Sequence, residues 1–460
     1  MKKTNFKLSR VRVVALVVAL CTLIAATSCN KVTDETILPE ESIFTSEEPS
    51  LGGGLSEDSV TDGDQSEELT GGNDQSESQS AGSQNTEQIQ TDAESTEKSE
   101  STTAAPPVEI IEGILSYDHL NELSSNKNII FFLIDRFDVR YFEKLQKSDP
   151  AFFEKLDGFT FYNDYTSLYC RTYPAIASIL TGKENDFSDT RLNFFKKIYS
   201  DGGHLRDLYN AGYSVNVYTE EYYAYDNASV MSEYVQNVSG AAVYDADMKN
   251  VYDYITGNEF VKVESQGQFS FIHIYGCHTP IKYNLDWEEA NDKEKNDTTM
   301  ALKQSLTIIY EYIEEMKRLG VYDDATIIIT GDHPAALSDT KLIGETGRSD
   351  DNGTRVTAML FKKSGDSGTA LKTSTAQISQ DELWNTIYES EGLMHLKNGD
   401  SFFDIKEGEE RVRRYLFELS VTLEDKSRAD EIVEYRITGS ARNKDNWEVY
   451  KRTVIGRIYK

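Results

Sequence analysis

The chain has 460 residues, 47 basic against 78 acidic side chains and a formal net charge of −31, with aromatic residues making up 11%. So acidic a surface repels a phosphate backbone, which argues against nucleic acid as a partner. Cysteines stand only at Cys21, Cys29, Cys170 and Cys277, too few in the folded part for a disulfide scaffold.

Lys2, Lys3, Lys7, Arg10 and Arg12 precede an uncharged run from Val13 to Ala26. Positive charge followed by a short apolar stretch is the layout of a secretory signal, and the run is shorter than the roughly 20 residues a helix needs to span a bilayer. It ends at Ala26-Thr27-Ser28-Cys29, which resembles the lipobox of bacterial lipoproteins without the usual Leu. That resemblance implies a lipid anchor on Cys29 and residence on the outer face of a bacterial cell membrane, with a retained helix as the alternative. Residues 30–107 hold nineteen acidic and two basic side chains and Phe44 as their single aromatic. Such a stretch buries no core and its like charges extend it, so a disordered stalk is expected there.

Residues 108–460 keep a net charge of −19 and are aromatic-rich, enough for one large core or a main domain with a small accessory one. Asn128 to Ile134 (NIIFFLI) is a continuous apolar run ending at Asp135, as expected of a strand buried on both faces. Helical patterns alternate with further strands at Tyr213–Tyr218, Phe269–Tyr275, Thr326–Thr330 and Val356–Phe361. The rhythm predicts an α/β/α sandwich around a mostly parallel sheet. After Thr172 the stretch AIASIL favours a helix, with Pro174 tolerated in its first turn. Leu302, Leu306, Ile309, Ile313 and Met316 form an apolar stripe on a helix that closes at Gly320. From Ala429 onward the alternation, with a turn before Trp447, predicts a small sheet. The expected domains are thus a signal over 1–29, the stalk over 30–107, a catalytic domain over 108–400 and a small β-rich appendage over 401–460.

In open α/β sheets, ligands bind beyond the carboxyl ends of the strands, where loops and helix N-termini converge. Asp135 ends the first strand, His278 follows FSFIHIYG, and Asp332 with His333 follows TIIITG.

Three segments then carry a family resemblance. YCRTYPAIASILTG resembles the sulfatase nucleophile segment CxPSRxxLLTG, with Thr172 in the nucleophile position, Pro174 on the proline and Leu180-Thr181-Gly182 on the closing triplet. Gly331-Asp332-His333 resembles the family's late metal motif, and IYGCHTP resembles HxPHxP, with His278 at its second His and Pro280 at its last Pro. Over about residues 125–390 the chain is identified as a member of the alkaline phosphatase/sulfatase superfamily, which implies an alkaline-phosphatase-like fold. Thr172 cannot become the formylglycine of ordinary sulfatases, and Ile176 replaces the motif's Arg. The Thr nucleophile is shared instead with lipoteichoic acid synthases, phosphoethanolamine transferases and nucleotide phosphodiesterases.

That likeness implies one divalent metal held by Asp135, Thr172, Asp332 and His333. The oxygen-rich set with one imidazole suits Mn, Mg or Zn, calcium being a poorer match. It also implies Thr172 as nucleophile and His278 as general acid; Arg171, next to the nucleophile, is a candidate anion clamp or an exposed structural arginine. His119, His204, His273 and His395 fall in no ligand motif. Cys170 and Cys277 adjoin site residues and are expected near one another, as buried thiols or as a pair. The expected chemistry is hydrolysis or transfer of a phosphodiester or phosphomonoester of cell-envelope lipids or glycans. Two other readings are an atypical sulfuric ester hydrolase and an inactive surface binding protein.

Overall fold

The computed structural model describes residues 115–220, 228–238, 242–335, 341–343, 354–422 and 428–455. The expected signal, Cys29 and the expected stalk up to Pro107 lie outside the described residues. Among the described residues no helix is long and apolar enough to cross a membrane.

In chain order the strands are β1 (Glu122–Ser124), β2 (Lys127–Ile134), β3 (Phe159–Thr166), β4 (Tyr213–Tyr218), β5 (Val261–Val263), β6 (Gly267–Ile274), β7 (Thr326–Thr330), β8 (Thr357–Lys362), β9 (Lys372–Ser374), β10 (Ile378–Ser379), β11 (Val412–Thr422), β12 (Arg428–Thr438) and β13 (Trp447–Ile455). The α-helices are α1 (Val139–Ser148), α2 (Thr172–Thr181), α3 (Arg191–Asp201), α4 (Gly203–Asn210), α5 (Ala228–Met231), α6 (Met248–Gly257), α7 (Thr298–Leu319) and α8 (Leu383–Glu391).

Eight strands make the central sheet in the order β10-β3-β8-β7-β2-β6-β4, with β9 also on β3. β2 pairs in parallel with β6 and β7, and β4 with β6. β8 runs antiparallel to both β3 and β7, so the sheet is mostly but not wholly parallel. An apolar run reports that a strand is buried on both faces; it carries no sign of direction.

Side chains alternate across a strand, and β2 divides its residues accordingly. Ile130, Phe132 and Ile134 enter a core with Phe142 of α1, Val251 of α6 and the Leu306, Ile309 and Ile313 stripe of α7. Ile129, Phe131 and Leu133 enter the opposite core with Ile176 and Leu180 of α2, Phe195 of α3, Leu205 of α4 and Ile387 of α8. One apolar strand therefore feeds two helical layers, which is the expected α/β/α sandwich. α7 closes as its sequence implies: Asp297 caps its first turn and Gly320 ends it at φ 68.

β11, β12 and β13 form a separate antiparallel sheet. Its first strand begins at Val412, ahead of the alternation read from Ala429. The sheet is also embedded in the main body: Val433 and Ile437 join the α7 core, Leu416 and Ile432 the α2 core. Arg413 reaches Asp164 of β3 at 2.9 Å in a buried ion pair.

Candidate metal centre

Because β2 and β7 are neighbours in parallel register, their carboxyl ends open side by side. The residue after β2 is Asp135; the residues after β7 are Gly331, Asp332 and His333. A Cβ on Gly331 would stand 3.0 Å from both the backbone nitrogen and Cβ of Phe137, so its absence lets the two strand ends approach. Beyond β6, Gly276 adopts φ 55 and the Cys277 N–H donates to the Asp135 carbonyl at 2.9 Å, which folds the His278 turn over the same spot.

Thr172 arrives from the other side as the first residue of α2, with Arg171 as N-cap. Its hydroxyl thus lies by the free backbone amides and positive end of a ten-residue helix. Thr172 Oγ1 is 3.3 Å from His333 Nε2. His333 Nε2 is in turn 3.2 Å from Asp332 Oδ2 and 3.9 Å from Asp135 Oδ1. One ligand atom from each of Asp135, Asp332 and His333 falls within 4.8 Å of the others, all three residues being buried.

Whether this cluster suits a cation is decided by its lone pairs. His333 Nδ1 lies 2.7 Å from the Pro334 carbonyl oxygen, which can only accept, so Nδ1 carries the proton and neutral His333 presents a bare Nε2. Asp135 Oδ1 and Asp332 Oδ2 are buried without a hydrogen-bond partner. Three acceptors therefore converge with no donor among them except the Thr172 hydroxyl. Atoms coordinated at about 2.1 Å lie roughly 3–4 Å from one another, as do His333 Nε2 and its neighbours Thr172 Oγ1, Asp332 Oδ2 and Asp135 Oδ1. The residues fit a divalent cation.

The electrostatics agree. Burial, then the Asp332 charge, raises the Asp135 carboxyl well above the ordinary range, against the opposing pull of Arg136 and the Thr172 hydroxyl. His278 sits with its ring 4.9 Å from that of Tyr275. Burial, then the Arg136 charge, lowers its imidazole below the usual value.

Asp135, Thr172, Asp332 and His333 are thus brought together from three distant stretches, and His278 follows Cys277, whose N–H is bound to the Asp135 carbonyl. Arg171 caps α2, and its charge partly offsets the burial that pushes the Cys170 thiol up to about 12. Cys170 and Cys277 are free buried thiols rather than a pair. Cys170 Sγ accepts the Glu418 N–H, and Cys277 Sγ faces the Thr298 carbonyl.

Two neighbours were not singled out from sequence. Arg136 follows Asp135 with a left-handed backbone, φ 59, and its N–H donates to Asp332 Oδ1 at 2.9 Å. His273, buried inside β6 opposite Leu133, holds Nδ1 3.1 Å from Thr219 Oγ1 and Nε2 4.0 Å from Asp135 Oδ2. Burial keeps that imidazole neutral, its pKa lowered to about 4. The available signal was a polar ring near the carboxyl end of an otherwise apolar strand.

A profile of the family described as Sulfatase matches residues 127–392. No curated protein sequence matches the chain. Solved structures similar to it include an alkaline phosphatase superfamily protein from Vibrio parahaemolyticus, at 13% identity over 76% of this chain and 84% of that one, with a TM-score of 0.42. The lipoteichoic acid synthase LtaP from Listeria monocytogenes shows 13% identity over 69% of this chain and 88% of its own, TM-score 0.43. The C-terminal periplasmic domain of EcEptC from Escherichia coli shows 16% identity over 59% of this chain and 86% of its own, TM-score 0.36.

Proposed function

Given that the chain belongs to the sulfatase family, we propose that it is a metal-dependent hydrolase or transferase of phosphate esters that works through a covalent intermediate on Thr172. The observation that carries this reading is a threonine hydroxyl at a helix N-terminus, 3.3 Å from His333 Nε2 in a ring of cation-type ligands. Asp135, Asp332, His333 and Thr172 Oγ1 would hold one divalent ion, Mn, Mg or Zn by their donor types. Such an ion supplies Lewis acidity that eases ionisation of the hydroxyl.

In the first step the Thr172 hydroxyl gives up its proton to solvent, Oγ1 attacks phosphorus, a Thr–O–P bond forms and the bond from phosphorus to the leaving oxygen breaks. The free amides at the start of α2 face the charge that develops. His278, whose protonated form an anionic substrate favours, gives its proton to the leaving oxygen. In the second step water or an acceptor hydroxyl returns a proton to His278 and takes the phosphoryl group, which frees Thr172. Phosphodiesters or phosphomonoesters of envelope lipids or glycans are the substrates of this reading, and the basic start and apolar run leading to Cys29 favour a site on the outer face of the membrane.

Family membership favours sulfate esters as a second reading, against which stands a nucleophile that cannot be converted to formylglycine. The purified Mn-loaded protein is expected to cleave a phosphodiester or phosphomonoester reporter in preference to an aryl sulfate, and to carry a labelled phosphoryl group on the Thr172 peptide. Preference for the sulfate, or a label elsewhere, would overturn the proposal. A protein that binds no metal and gains no stability from one would instead be a surface binding protein.

A further inference from the structure

We propose that Arg136 binds the anionic oxygens of the substrate's phosphoryl group, an inference that rests on reading the Thr172 centre as a site for tetrahedral phosphate esters. Its first support is a balance of charge. Two ionised carboxylates, Asp135 and Asp332, cancel a divalent cation, so the cluster alone offers no net attraction to an anionic ester. The imidazole of His333 adds none while it coordinates, and α2 after Arg171 contains no basic residue.

Two other cations that follow β2 and β6 are committed elsewhere. Lys282 is held by Asp247 at 2.7 Å, and Arg140 grips Asp138 at 2.7 Å and 2.8 Å. Arg136 makes no ion pair among the described residues. Its Nε is buried without a hydrogen-bond partner, and its Nη1 touches Thr279 Oγ1 only at the 3.5 Å limit. Thr279 directly follows His278, so the guanidinium lies beside the turn that carries the proposed acid, while the Arg136 backbone nitrogen is bound to the metal-ligand carboxylate Asp332.

The backbone provides the second support. A non-glycine residue at φ 59 is strained, and such strain persists where the surroundings fix it and gathers at working sites. Here it does two things at once: the Arg136 N–H steadies Asp332 Oδ1, and the side chain swings toward the His278 turn. A planar guanidinium fork matches two oxygens of a phosphoryl group, which a lysine would grip as a point charge only.

Inorganic phosphate titrated calorimetrically into the Mn-loaded full chain tests this, with Arg136→Ala, Arg136→Lys and Arg136→Gly alongside. Arg136→Gly relieves the left-handed strain and so guards against a merely misfolded variant. The Ala and Gly proteins are expected to keep their metal, since the backbone donor to Asp332 remains, and to bind phosphate about ten- to a hundredfold more weakly. Arg136→Lys should recover part of the loss. Phosphate affinity within twofold of the parent in the Gly protein overturns the proposal, as does loss of metal in both truncated variants, which would make the residue a prop for Asp332. A parent protein that binds no phosphate overturns it too. If phosphate binding depends on Arg136 but Thr172 never takes up label, the covalent reading fails and Arg136 stands. A labelled Thr172 with unchanged phosphate affinity in the variants means the opposite: the covalent reading stands and the role of Arg136 fails.

Discussion

Replacing Asp332 with Asn should shift stability in opposite directions with and without metal. The change is nearly isosteric, and its amide oxygen can still accept the Arg136 N–H that Asp332 Oδ1 accepts now. What disappears is one of two buried charges. At the 4.8 Å that bounds the ligand atoms, two unit charges repel by about 3.5 kcal/mol at an effective dielectric of about 20. With chelator present at pH 8, the Asn protein should therefore be more stable than its parent, by about 2–3 kcal/mol after relaxation of the site. The pH dependence follows from the raised Asp135 carboxyl. Between its unfolded value near 4 and its higher folded one, the native state binds more protons than the unfolded. The stabilising contribution is thus complete at the acid end and is lost as pH rises through the folded pKa, so the advantage of Asn should fade on acidification. With Mn at a thousand times its dissociation constant, the parent gains about 4 kcal/mol that the Asn protein, short of a ligand, forgoes. Urea unfolding in chelator and in Mn, at pH 5 and pH 8, measures all four cases. A metal-free Asn protein less stable than the metal-free parent at pH 8 would refute the idea that these carboxylates are held together for a cation.

Thr172→Ala should abolish reporter cleavage and labelling while leaving urea stability within about 1 kcal/mol, since the residue lies at the start of its helix and is not wholly buried. His278→Ala should lower kcat by about a hundred- to ten-thousandfold for esters with poor leaving groups, and much less for a nitrophenolate that departs unprotonated, a contrast steady-state kinetics would show. Gly276→Ala adds a Cβ that overlaps Ile134 Cγ2 at a left-handed position; strain and overpacking together should cost about 2–5 kcal/mol in urea unfolding and reduce metal affinity through displaced Asp135. Arg413→Ala leaves Asp164 buried without its ion partner and should cost about 3–5 kcal/mol by the same measurement.

Much of this architecture is legible in the residues because burial on both faces demands uninterrupted apolar runs. β2, β4, β6 and β7 fall within a residue or two of the runs that announced them. The cluster of Asp135, Asp332 and His333 was accessible for a related reason: polar side chains directly after such runs have one place to go, the open end of the sheet. β3 was harder, because FTFYNDYT mixes aromatic residues with Asn163 and Asp164, and Asp164 is satisfied by Arg413 and the Ala441 N–H far along the chain. β11 was missed for the same cause: Arg413 and Glu418 interrupt its apolar pattern, yet both are buried. Arg136 escaped notice because its backbone is set by Asp332, a partner 196 positions away. His273 carries no ligand spacing and acquires meaning only when β6 lies beside β2.

The grip of β11 on the stretch before Thr172 has a bearing on when the site comes into being. Leu416 exchanges backbone hydrogen bonds with Leu168 and Cys170, and the Glu418 N–H meets Cys170 Sγ across 248 positions of chain. During synthesis, the segment that presents the hydroxyl leaves the ribosome long before the strand that fastens it, and so distant a contact forms late. An enzyme arranged in this way stays silent as a nascent chain and acquires its reactivity only once β11 has been made and has folded back.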